Sequence, residues 1–342
     1  MQNFLDPAIL FFIFGVLAGT LKSNLEIPQP IARFLSLYLL MALGLKGGFA
    51  LAHSGLTSQV VTSLGCAVLL AVVIPCIGYN VLRRFLSGFD AAAVAATYGS
   101  VSAVTFVTAV QTLETQHVAF GGYMSAAMAL MESPAIIIAV VFANALRQRR
   151  VPVSVGTNAG PGGGAAVMGM VPAPSAASGA SLGKILHESF TDGAQLLLIG
   201  AMLIGILSGD AGKAAMQPFT GDLFKGLLAF FLLDMGLLTA RSLPQIPTRS
   251  PWLLAYAVLG PLAHASLALC VAWLLKVPAG DATLLMVLAG SASYIAVPAV
   301  LRHAIPEANP ALYFGLSLGI TFPLNILFGI PLYMTVARAV LG

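Results

Sequence analysis

Residues 90–107 read "DAAAVAATYGSVSAVTFV" and residues 281–298 read "DATLLMVLAGSASYIAVP". The two stretches align at an offset of 191 positions, which puts Asp90 on Asp281, Gly99 on Gly290, Ser100 on Ser291 and Ser102 on Ser293. The match extends outward. "LLMALGLKGG" (39–48) answers "FFLLDMGLLT" (230–239), with Gly44 opposite Gly236, and Pro134 in "MESPA" answers Pro323 in "ITFPL". An internal repeat of this kind decides the fold before any single element is assigned.

The medium around the repeat follows from composition. The chain has 342 residues, 58% of them hydrophobic and 8% charged, with a mean hydropathy of +0.95. Soluble domains are about a quarter charged, so this is a multi-pass membrane protein. Windows of about 20 apolar residues predict ten spans, at 7–23, 31–52, 58–82, 91–112, 118–146, 186–208, 221–240, 251–275, 282–302 and 310–338. The N-terminal stretch lacks a basic leader and reads as a first span rather than a cleaved signal. Three parts are expected: a first five-helix repeat (1–147), a flexible linker (148–183) rich in Gly, Ala, Ser and Pro, and a second five-helix repeat (184–342). With the N-terminus outside, eleven of the 16 Lys and Arg residues fall on the inner side. The excess of inner cations then makes the linker cytoplasmic and both termini external.

Five spans per half force the second half to enter the membrane from the opposite face, so the repeats are inverted. This is a recurring architecture of secondary transporters, in which matched Gly-interrupted segments mark the binding site. The fold expected is therefore all-α, with ten transmembrane helices in two inverted repeats and discontinuous helices crossing at the midplane. Gly permits a helix to break, and a half-helix N-terminus suits an anion. Ser hydroxyls add donors without blocking close approach. Broken backbone at membrane depth is tolerated where it lines a cavity or is buried in protein. Each tetrad alone is also explained by small-residue helix packing; the matched pair favours a site formed by Gly99, Ser100, Ser102, Gly290, Ser291 and Ser293.

Charges inside the spans are functional candidates by default. Glu132 precedes a helix-loosening Pro134 and suits a cation or a proton. Asp234 and Lys46 lie on symmetry-related helices, where a buried structural ion pair between them and a functional role are both open. Glu188 and Asp192 are expected to be solvated at the entrance of the sixth span. His264 is expected to be a hydrogen-bonded packing residue. Cys66, Cys76 and Cys270 have no CxxC spacing and read as small core residues. No phosphate loop, GxSxG or HExxH occurs, so the sequence makes no case for an ATPase, a hydrolase or a resident metal. Nor does any basic–aromatic stripe point to nucleic acid.

At "GLKGGFALAHSGL" (44–56), "YGSVSAVTFVTAVQTLETQ" (98–116), "MESPAIIIAVVFAN" (131–144), "MGLLTARSL" (235–243), "GPLAHA" (260–265) and, most specifically, "RHAIPEANPALYFGLSLGITFP" (302–323), the chain resembles the SbtA-type sodium-dependent bicarbonate transport family. The resemblance implies a transport core moving against a scaffold, a homotrimer in the bacterial cytoplasmic membrane, and sodium-coupled bicarbonate uptake. It also implies control by a PII-like cytoplasmic protein. The anion site it implies maps onto the two tetrads. The chain departs from cyanobacterial members at Tyr294, where an acidic residue is expected, at Val104 in place of a serine, and at Glu132 in place of an Asp. Lys46 replaces a small polar residue and Asp234 an apolar one. The ion-coupling candidates are therefore Glu132, Asp234, Thr105 and Tyr294, with sodium as the coupling ion and no other cofactor. A carrier for another small carboxylate or anion, possibly proton-coupled, is the alternative. A channel, or a non-transporting receptor for the PII-like regulator, ranks lower.

Overall fold

The computed structural model describes residues 6–55, 57–150, 193–245 and 250–342. Most of the expected linker, with Glu188 and Asp192, lies outside these residues. The regular elements among the described residues are helices, and we number the main ones in chain order: α1 (Pro7–Thr20), α2 (Gln29–Ser54), α3 (Ser58–Leu82), α4 (Gly88–Gly99), α5 (Ala103–Thr115), α6 (Met124–Arg150), α7 (Gly193–Gln217), α8 (Leu223–Ser242), α9 (Pro251–Leu274), α10 (Ala279–Gly290), α11 (Ala296–Ala304) and α12 (Pro310–Leu341). Among the described residues, seven helical stretches are long and apolar enough to cross a membrane, and Pro7–Thr20 and Ala279–Gly290 are shorter apolar helices. One of the seven, Leu196–Ser242, takes in the later part of the sixth expected span and all of the seventh.

Helix starts follow local chemistry. Asp6 caps α1 by accepting from the Ala8 amide at 2.8 Å, with Pro7 at the first helical position. Ser87 and Asn309 cap α4 and α12 in the same way. α7 bends at Gly209, whose φ of +53° is left-handed backbone that favours glycine. Large apolar side chains such as Phe14, Leu207, Trp252 and Leu259 face outward, as a lipid-facing surface requires.

The helices form two layers. In one, α1 packs along α8 and α2 along α7. Both seams depend on missing side chains. A Cβ on Gly15 would stand 2.3 Å from the Leu233 carbonyl oxygen, and one on Gly48 would stand 2.1 Å from that of Met202 and 2.8 Å from the Gly205 Cα. Helices this close gain dispersion contacts that lipid cannot supply. The second layer has two similar sets, α3 with α4 and α6, and α9 with α10 and α12, and α5 lies with it against α10.

Of the two readings left open for Lys46 and Asp234, the ion pair between them is not formed. Lys46 Nζ instead lies 2.9 Å from Glu114 Oε1 and 4.4 Å from the centroid of the Phe224 ring. The reason is helix length. α5 runs to Thr115, past the predicted end at 112, and carries Glu114 on its last turn to Lys46. Asp234 is buried, and its Oδ2 has no hydrogen-bond partner among the described residues.

Candidate functional site

The expected fourth and ninth spans are each broken at the tetrad. α4 stops at Gly99, Ser100 is extended (φ −95°, ψ −175°), and α5 begins after Ser102. α10 stops at Gly290, and Ser291 is extended in the same way (φ −89°, ψ 170°). Neither glycine has a positive φ, so backbone freedom is not their reason. Close approach is. A Cβ on Gly99 would meet the Pro75 ring of α3 at 2.6 Å, and one on Gly290 would stand 3.0 Å from the Pro261 carbonyl oxygen of α9.

The breaks bind each other. The Ser102 amide donates to Ser291 Oγ at 3.0 Å, and the Ser293 amide donates to the Thr97 carbonyl at 2.8 Å. Backbone donors freed by each interruption are therefore satisfied by the other, which allows both to be buried. The Gly290 carbonyl, freed at the end of α10, accepts from Asn325 Nδ2 at 2.8 Å, and Asn325 Oδ1 accepts from the Tyr333 hydroxyl at 3.0 Å.

A cavity of about 60 Å³ lies where the breaks meet, lined by Ser102, Ala103 and Val104, by Ser293, Tyr294, Ile295 and Ala296, and by Glu132 and Ser36 among others. Both α5 and α11 thus turn their first residues toward it, where helix amides are unclaimed by the helix itself. Ser102 Oγ accepts from the Thr105 amide (3.2 Å) and the Thr105 hydroxyl (2.9 Å). Ser293 Oγ accepts from the Val297 amide at 3.3 Å. The Ser102 hydroxyl also has the Tyr294 phenol as a hydrogen-bond partner. A water needs ~10–15 Å³ of such space and a drug-sized ligand several hundred. The cavity accordingly suits one small ion with a few waters.

The other candidates are divided. Ser100 Oγ donates to the Glu132 carbonyl at 3.3 Å, and Ser291 Oγ donates to the Leu288 carbonyl at 2.9 Å while accepting from Ser102. These two shape the breaks but do not line the cavity, and neither do Gly99 and Gly290. Thr105 is buried and reaches the site through Ser102. Tyr294 lines the cavity. Its hydroxyl sits 3.6 Å from Met235 Sδ, and its ring packs edge-on against Phe322. Asp234 is not among the lining residues; it stands beside Met235, behind Tyr294.

Sequence reasoning missed three groups. Ser36 on α2 contributes a hydroxyl from the other layer, and nothing in "RFLSLYLL" distinguishes it from an ordinary span position. Asn325 was also missed, although its place two residues after Pro323, deep in an apolar run, is itself a signal. The third group is the pair of aspartates that open the repeats. Asp281 is fully buried and accepts from the Gly121 amide at 2.6 Å and from the Tyr123 hydroxyl. Asp90 accepts from the Asn309 amide at 2.8 Å. Each aspartate ties its own half to a loop of the other.

Two broken helices facing one small cavity of mixed polar and apolar walls, inside an all-helical protein with an apolar exterior, define a multi-pass membrane protein. The sequence model of the Na+-dependent bicarbonate transporter superfamily matches residues 7–338, and the chain belongs to that superfamily. No curated protein matches it.

Proposed function

We propose that the protein is a secondary active carrier that takes bicarbonate into the bacterial cytoplasm with sodium as the coupling ion. The observation that carries this reading is the meeting of the two breaks, where Ser102, Ser293 and two helix starts line a cavity of about 60 Å³. A small monovalent anion suits those groups, and its charge is favoured by both helix N-termini. The coupling we propose runs through Glu132, which lines the same cavity. Two like charges ~4 Å apart repel by about 4 kcal/mol at an effective dielectric of ~20. An anion is therefore bound well only when a cation or a proton accompanies it.

The architecture proposed is ten crossings in two inverted halves. Exchanging α1 with α7 and α2 with α8 turns the α1–α8 pair into the α7–α2 pair, which is the other seam of that layer. The clamps of Asp90 and Asp281 exchange in the same way. Both termini are then external and the linker cytoplasmic. A homotrimer and a PII-like regulator are carried over from the family resemblance alone.

The test is uptake of labelled bicarbonate into proteoliposomes under imposed sodium or proton gradients. Sodium-driven accumulation supports the reading, and proton-driven accumulation moves the coupling to protons. Saturable uptake of a different labelled anion, with none of bicarbonate, replaces the substrate. That second reading has its own support, because Leu40, Val104, Met128, Leu198 and Ile295 give the cavity apolar walls suited to a small carboxylate. Competition by short carboxylates separates the two.

A further inference from the structure

A second, larger cavity of about 540 Å³ adjoins the first. The same helices wall both. On α2, Ser36 and Leu40 line the small cavity, while Leu43 and Lys46 line the large one. On α5 the succession is Val104, then Phe106 and Glu114; on α6 it is Met128, then Met124. Three residues of helix span about 4.5 Å, so the two spaces lie roughly one helical turn apart.

Its charges are ordered. Lys213 and Lys225 stand exposed along its wall with Asp222, and the tail of α7 beyond the Gly209 bend carries Lys213 there. Neither lysine forms an ion pair among the described residues. Deeper, Lys46 is shared between Glu114 Oε1 and the face of Phe224. Three lysines against two carboxylates leave the chamber net positive. Its dimensions are comparable to a Debye length of about 8–10 Å, so salt screens the field only partly.

We infer that this cavity is an anion-collecting chamber. Lys213 and Lys225 draw in a small anion, and Lys46, surrendered by Glu114, is the last cation it meets before Ser102 and Ser293. Lys46 is then a specificity-determining residue, since it selects anions over neutral solutes ahead of the binding site. The identity of the cargo rests on the carrier reading above, but the chamber's charge can be measured without any cargo.

The experiment uses the full chain with its three cysteines replaced and one cysteine introduced by Ala50→Cys, on the chamber wall one turn beyond Lys46. The rates of modification by an anionic and a cationic methanethiosulfonate are compared. The anionic reagent should react faster, by about tenfold, the lower end of the range for electrostatic focusing. Lys46→Gln and the exposed pair Lys213→Gln/Lys225→Gln should each reduce that preference, and Glu114→Gln should raise it. Equal rates for the two reagents, or a preference unchanged in all three variants, overturn the chamber. The surface pair keeps the test decisive should a substitution at Lys46 impair folding. In uptake assays, the same lysine variants should raise KM for bicarbonate more than they lower the maximal rate. A wild type that moves no bicarbonate but keeps the reagent preference refutes the cargo and leaves the chamber standing.

Discussion

At the residue scale the four tetrad serines are not equivalent. Ser102 and Ser293 face the small cavity, while Ser100 and Ser291 hold the broken backbone. Ser102→Ala removes a helix cap, worth about 1 kcal/mol, and an anion donor. Uptake KM should rise about tenfold or more for Ser102→Ala and Ser293→Ala, since one lost hydrogen bond to a charged ligand is worth ~1.5–3 kcal/mol. Ser100→Ala should change it far less. Initial-rate kinetics in proteoliposomes check the contrast, and equal effects at all four serines would rule out the division. Glu132 supports a sharper expectation. On the proposed coupling, Glu132→Gln removes the repulsion between carboxylate and anion, so anion affinity should become nearly independent of sodium while gradient-driven accumulation is lost. Binding measured with and without sodium tests it. Asp234→Asn is the comparison, because that carboxylate lies outside the cavity. A loss of sodium dependence there, with none at Glu132, would move the coupling site.

At the element scale, the tetrads announced both breaks, yet the reason assigned to their glycines was wrong. Pattern alone does not separate a glycine that frees the backbone from one that admits a neighbour. Only the positions of Pro75 and Pro261 against Gly99 and Gly290 decide it. The partner of Lys46 was hidden for a similar reason, since apolar windows end a helix where polarity begins and thereby place Glu114 outside. The cross-half clamps were out of reach, because sequence gives no distance between residues 121 and 281. The Asp281 clamp makes a stability prediction. Burial first, and then the Asp281 carboxylate beside it, pushes the Tyr123 phenol up to about 12. A phenol raised in the folded state contributes stability that is fully present below its ordinary value near 10. That contribution is lost as pH climbs from there toward 12. Thermal unfolding in detergent should therefore show an alkaline decline over that window, and Tyr123→Phe should lower stability at neutral pH while flattening the decline. Asp281→Ala should cost more, since it removes the charged acceptor shared by the Gly121 amide, the Tyr123 hydroxyl and Gln59 Nε2, and a hydrogen bond to a charged group is worth ~1.5–3 kcal/mol. Asn325→Leu should fall in the same range, because it strands the Gly290 carbonyl.

At the scale of the whole molecule, the two layers suggest how the proposed carrier would work. The small cavity has walls from both: Ser36, Leu40 and Leu198 from one, and the two breaks with Glu132 from the other. Sliding one layer against the other would carry the breaks from one mouth to the opposite one, with α1 held close to α8 and α2 to α7 at the glycine seams. A channel needs no such displacement, so immobilising the layers separates the two mechanisms. Lys46 and Glu114 stand on opposite layers within ion-pair distance, 2.9 Å between their charged atoms. In an otherwise cysteine-free chain, Lys46→Cys/Glu114→Cys is within reach of a short, reducible bis-thiol reagent. For a carrier, cross-linking should abolish uptake at saturating substrate, and reduction should restore it to the level of the same variant before treatment. Each single-cysteine variant should be indifferent to the reagent. Conduction that persists through the cross-link would mean that the solute passes a fixed pore, and the sliding layers would have to be abandoned. Inhibition that reduction cannot reverse would point to damage rather than restraint, and a second interlayer pair, Phe12→Cys/Phe322→Cys at the α1–α12 contact, would then decide.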